Sequence, residues 1–206
     1  MDIPAIYAVF KGGEVKAAPV KFDGADISFL SEPVRHTYSA EGADDRMPVL
    51  VVDVKGLGKG ELDDRLLTGM RFPGSDVWFM TRILDIEDVF DCFMEDIAKV
   101  LMPYHAVRND RVISEAYEVS ENCIPVLFVL KGKAVCRGGG TKDLRAAVAE
   151  LSKTGFQEIV VLDTDSSVGS EEWTALNDRY EGLIPFLRKE DGSAAGIGFR
   201  TIIADL

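Results

Sequence analysis

The chain has 206 residues, with 23 Lys and Arg against 35 Asp and Glu, a formal net charge of −12. Hydrophobic residues at 47% and charged residues at 28% give enough apolar surface to offset the entropy of ordering, which excludes intrinsic disorder. The acidic balance argues against nucleic acid as a partner, and no apolar run reaches the roughly 18–20 residues of a membrane span.

The elements alternate between short apolar runs and helical patterns, in the manner of βα units. A first strand is predicted over residues 3–10, closed by Gly12-Gly13 and followed by a hairpin return through residues 14–18. A second covers 48–54 and leads through the loop Gly56-Leu57-Gly58-Lys59-Gly60 into a helix over 61–70. The third strand, 76–81, precedes a helix over 85–100, where Ile86, Val89, Phe90, Phe93 and Ile97 keep helical spacing. Strand four is placed at 102–107 and its helix at 112–119. Strand five is placed at 124–130, a helix at 142–153, strand six at 158–163 and a helix at 171–180. Two last runs, 182–187 and 197–204, complete eight candidate strands, with weak or absent helices after the first and seventh.

The run Ile3-Pro4-Ala5-Ile6-Tyr7-Ala8-Val9-Phe10-Lys11-Gly12 reappears as Ile124-Pro125-Val126-Leu127-Phe128-Val129-Leu130-Lys131-Gly132, each with a charged return behind it. The next strand also matches, Val49–Asp53 against Ile159–Asp163. Two collinear matches predict one domain over 1–206, a (β/α)₈ barrel of two half-barrels, 1–120 and 121–206. An open doubly wound α/β sheet is the alternative.

Such a barrel gathers its functional residues where its strands end. Those ends supply Asp53, Arg82, His105, Arg108, Lys131, Asp163 and Arg188, a basic rim on an acidic protein that suits a small anionic or phosphorylated ligand. Asp53 and Asp163 are the candidate catalytic groups. Each is in phase with the aliphatic residues before it and is expected at the edge of the barrel interior, as acid or base or as a loop cap. Residues 162–172 (LDTDSSVGSEE) match neither a full phosphatase motif set nor a calcium loop. Ser167 and Gly169 there face either a phosphate or the capping of the next helix. The glycine-rich loop after strand two lacks nucleotide-binding spacing, so no cofactor is assigned. Cys92, Cys123 and Cys136 have no C-x-x-C spacing, and His36 and His105 are the two histidines, so no metal site is assigned. The thiols are read as core residues of a cytoplasmic protein. The opening MDIPAIYAVFKGG has no basic leader, and an oligomer is allowed.

The segments IPAIYAVFKGGEVKAA, VLVVDVKG, FVLKGKAVCRGG and GFQEIVVLDTD resemble the first, second, fifth and sixth strands of the HisA/HisF family of histidine biosynthesis. The resemblance implies a (β/α)₈ barrel and an ancestral phosphorylated ribosyl-amine ligand. The family's acid and base are aspartates ending strands one and five. Tyr7 and Lys131 stand near those places, so the histidine-pathway isomerisation is not expected here. The chain is more similar to a divergent HisA/HisF-related group of methanogenic archaea and other users of methanopterin-type carriers. That implies either an isomerase- or lyase-type enzyme with the aspartate pair replaced, or a non-catalytic ligand-binding or protein-interaction descendant.

Overall fold

The computed structural model describes residues 1–35, 47–72, 74–188, 193–194 and 196–205; His36 falls outside them. Eight strands run parallel: β1 (Asp2–Lys11), β2 (Met47–Asp53), β3 (Ser75–Met80), β4 (Lys99–Pro103), β5 (Cys123–Leu130), β6 (Ile159–Asp163), β7 (Leu183–Leu187) and β8 (Ile202–Asp205). Each pairs with its neighbour in sequence, and β8 pairs in parallel with β1, so the ring closes. This is the (β/α)₈ barrel, and closure rules out the open sheet. β1 and β5 lie on opposite sides of the ring.

Both strand faces are apolar because both are covered. Alternate residues such as Leu50, Val52, Met80, Leu101, Leu162 and Phe186 fill the barrel interior. The residues between them, among them Val51, Phe79 and Val161, pack against Leu66, Val89, Val112, Val148 and Trp173 of the outer helices. Those helices are α1 (Val54–Lys59), α2 (Asp64–Gly69), α3 (Ile86–Met94), α4 (Asp110–Val119), α5 (Leu144–Thr154) and α6 (Ser170–Arg179). Among the described residues no helix lies between β1 and β2 or between β7 and β8, and no helix is long and apolar enough to cross a membrane.

β1 and β5 each turn back into an antiparallel strand, Glu14–Ala17 and Lys133–Val135, through two loop residues at positive φ. Gly12 and Gly13 fill that loop in the first, as such turns favour, while Lys131 and Gly132 fill it in the second. Beyond the first return stands a separate hairpin, Val20–Asp23 with Asp26–Phe29, whose Val20 and Ile27 are buried with the interior cluster. The sequence pattern carries a signal for it, Asp23-Gly24 between alternating apolar residues, that the βα reading passed over.

Three expectations need correction. The loop after strand two is helical: α1 starts directly at Val54, capped by Asp53, and Gly60 closes it at φ +90°. The helix predicted over 85–100 stops at Met94, because Asp96 takes a left-handed backbone (φ +59°) and sends the chain into β4. Strand four therefore ends at Pro103, which places His105 and Arg108 in the following turn.

Candidate functional site

Asp53 and Asp163 are in phase with their aliphatic neighbours, as expected, but those neighbours face the helices. Val51 and Val161 belong to the strand–helix layer, so both aspartates point away from the barrel interior. Each is fully buried and bound by loop donors. Asp53 Oδ1 accepts the Gly56 amide at 2.8 Å, and Oδ2 accepts the Asp63 amide at 3.1 Å and the Thr81 hydroxyl at 2.9 Å. Asp163 accepts the Ser167 amide at 3.1 Å and the Val168 amide at 2.7 Å. Burial raises the Asp53 pKa, and these hydrogen bonds oppose the rise. The expected interior-facing position is corrected: these carboxylates shape βα loops.

The Lys131 turn and the loop after β6 are tied together. Asp165 accepts the Lys131 amide at 2.9 Å, and the Ser167 hydroxyl accepts the Gly132 amide at 2.7 Å while donating to Asp165 at 2.5 Å. Burial pushes the Asp165 carboxyl up, but its bonds from Ser167 and Lys131 outweigh it and hold the pKa below the usual value. Ser167 is thus occupied within the protein, and Gly169 is the exposed N-cap residue of α6. Lys131 and Arg108 are exposed on the rim.

Arg82 and His105 do come together beneath the hairpin. Arg82 lies against Gly60, where an added Cβ would stand 3.0 Å from Nη1. His105 packs on Phe128, with ring centroids 4.5 Å apart. Burial, and then the nearby Arg82 charge, pushes the His105 pKa down to about 4, while Asp26 of the hairpin acts weakly the other way. His105 is therefore neutral at pH 7. Arg82 Nε and His105 Nδ1 are buried and, among the described residues, have no hydrogen-bond partner.

Arg188 belongs to a second group. Its Nε donates to Asp205 Oδ2 at 2.7 Å, and the Tyr7 hydroxyl donates to Asp205 Oδ1 at 2.5 Å. Asp205 shares the inward phase of Ile203 on β8, and Tyr7 that of Ala5 on β1. Burial above all, then the Asp205 charge, holds the Tyr7 phenol well above its ordinary pKa. Phe22 from the hairpin stands between the two groups, 6.1 Å from the Tyr7 ring, 6.0 Å from Phe128 and 4.8 Å below the Arg188 guanidinium. Asp205 ends β8 directly after an apolar run, as Asp53 and Asp163 end theirs, a signal that could have found it; Tyr7 lies within β1 and was legible only by counting period two from Ala5. Among the described residues no group of three or more His, Cys, Asp or Glu side chains could hold a metal ion.

No protein-family profile matches the chain, and no curated protein matches it in sequence. In structure it is similar to the HMG-CoA lyase of Bacillus subtilis, with a TM-score of 0.53 and 11% identity. The match covers 77% of this chain and 64% of the lyase, so the chain spans less than two thirds of that protein's length. Such a likeness supports the barrel fold alone.

Proposed function

We propose that this barrel binds a small anionic or phosphorylated metabolite at the C-terminal mouth, beneath the hairpin, with Arg82 and His105 as its direct contacts. Arg108 and Lys131 supply the basic rim that draws an anion to an otherwise acidic molecule, while Arg188, expected in that rim, is neutralised by Asp205. The carrying observation is the pair of buried, unpartnered nitrogens, Arg82 Nε and His105 Nδ1. An unmet buried donor is costly, and an anionic oxygen would satisfy it with a charge-assisted bond worth about 1.5–3 kcal/mol. In this reading Asp53 and Asp163 hold the loops, and Asp205 is the carboxylate that reaches the inner face. Calorimetric titration with inorganic phosphate and ribose 5-phosphate tests it. Arg82→Ala should weaken binding about tenfold or more, and equal binding by that variant overturns the site.

Descent from the HisA/HisF-related barrels is part of the proposal. It is supported by the sequence likeness of strands one and five and by the shared turn-back after each, with halves at 1–120 and 121–206. On that descent the chain is an isomerase- or lyase-type enzyme of archaeal, methanopterin-linked one-carbon metabolism in the cytoplasm, and not the histidine-pathway isomerase. Failure to complement a strain lacking that isomerase is expected. Loss of one-carbon growth on gene deletion tests the metabolic link. A second reading, a non-catalytic ligand-binding protein, is favoured by Phe22 filling the mouth; binding without turnover of any phosphorylated sugar would select it.

A further inference from the structure

Among the described residues, one edge of β1 passes from β8 to the return strand partway along its length. Ala5 pairs with both Asp205 of β8 and Leu50 of β2, so β8 occupies the edge of β1 opposite β2. Ala8 pairs with both Asp53 of β2 and Ala17 of the return strand, so the return strand occupies that same edge further along. Between them the Tyr7 carbonyl accepts the Ala18 amide at 3.0 Å, Ile6 has no ladder partner on that edge among the described residues, and a cleft of about 400 Å³ opens there. Its walls are apolar, formed by Ala5, Ile6, Ala17, Ala18 and Val34, and its polar end is Tyr7, Asp205 and Arg188.

We propose that this cleft is a binding site, separate from the mouth, for a small uncharged molecule with an aliphatic body and a primary-amide head. The volume falls within the range of small-molecule sites. The head group follows from the charges. Arg188 and Asp205 neutralise one another through the 2.7 Å bond, so the polar end has no net charge to offer an ion. What it does offer is mixed. The guanidinium keeps Nη donors that, among the described residues, bond to no acceptor, and the carboxylate has used two of about four lone-pair directions. A donor beside an acceptor is matched by the C=O and N–H₂ of one amide, which takes the guanidinium and carboxylate together. A carboxylate ligand would meet Asp205 as a like charge, and an ammonium would meet Arg188. Tyr7 stays protonated and holds Asp205 in place, so it is a positioning residue.

The test is NMR titration of the full chain with pentanamide, pentanoate and pentylamine, read on the methyl signals of Ala17, Ala18 and Val34. Pentanamide should shift these signals with millimolar affinity, the strength expected of so small a ligand. The two charged analogues should bind about tenfold or more weakly. Ala17→Phe, which fills the cleft and leaves the three polar side chains intact, should abolish the shifts, and Arg188→Ala should reduce the affinity about tenfold. Arg82→Ala should leave pentanamide binding unchanged, which separates this site from the mouth. Absence of shifts with pentanamide overturns the site, and tighter binding of pentanoate or pentylamine overturns the assigned head group.

Discussion

His105 sits in a place that favours its neutral form, and the consequence is a pH-dependent stability. Its pKa is about 4 in the folded protein against roughly 6.5 in an unfolded chain. Between these values the unfolded state binds more protons, so stability is complete above about pH 6.5 and is lost as pH falls toward 4. Urea unfolding at pH 7 and pH 4.5 should show a decline on the order of 2 kcal/mol larger in the wild type than in His105→Gln. Equal declines would remove His105 from the acid response. Gly56 gives a second, opposite-to-habit expectation. Replacing a helical glycine by alanine ordinarily stabilises by up to about 1 kcal/mol. Here a Cβ would lie 2.1 Å from Asp53 Oδ2 and 2.8 Å from Thr81 Oγ1. Gly56→Ala should therefore destabilise by about 1–3 kcal/mol in thermal or urea melts. Lys131 inverts the case: its φ of +52° is left-handed, so Lys131→Gly should stabilise by up to about 1 kcal/mol.

At the scale of elements, the hairpin of Val20–Phe29 is a small two-stranded sheet that shares no ladder with the barrel. Its hold on the mouth comes from side chains, with Phe22 packed among Tyr7, Phe128 and Arg188. Phe22→Ala should lower stability by about 1–3 kcal/mol with little change in the urea m-value, since the barrel itself stays intact. It should also speed the association of phosphate-type anions in stopped-flow measurements, and an unchanged rate would show that the hairpin does not gate the mouth. The strands were easier to read than such details. Runs such as PVLVVD and EIVVLD announce buried strands, yet when every residue is apolar the period of two has no contrast. The phase of Asp53 and Asp163 was therefore legible and their face was not. The end of α3 was hidden for a related reason: Ile97 continues the helical spacing of Phe93 although the chain has already turned at Asp96.

At the scale of the whole molecule, the barrel is covered unevenly. Five sectors carry helices that bury strand residues such as Phe79 and Val161. Among the described residues the β7–β8–β1 sector lacks them, and β8 is joined to β7 at two residue pairs, Phe186 with Ile203 and Leu187 with Ala204. Amide hydrogen exchange should accordingly be fastest at 202–205 and slowest in β2, β3, β5 and β6. Uniform protection around the ring would show that the thin sector is held by other means. Barrel closure itself was foreseeable, because the matched opening segments place two similar units half a chain apart. The pairing of Tyr7 with Asp205 was not, since it joins residues 198 apart and depends on the ring closing in register.

The hairpin has one more property that bears on how such a protein could change. Its two ends meet, with the Leu30 amide bonded to the Pro19 carbonyl at 2.9 Å. A segment entered and left through one doorway can be exchanged for another of different length or character without shifting any barrel strand. The preference of the proposed anion site at the mouth could then drift by swapping this cassette, while the closed ring beneath it, with its packed interior, keeps its sequence constraints untouched.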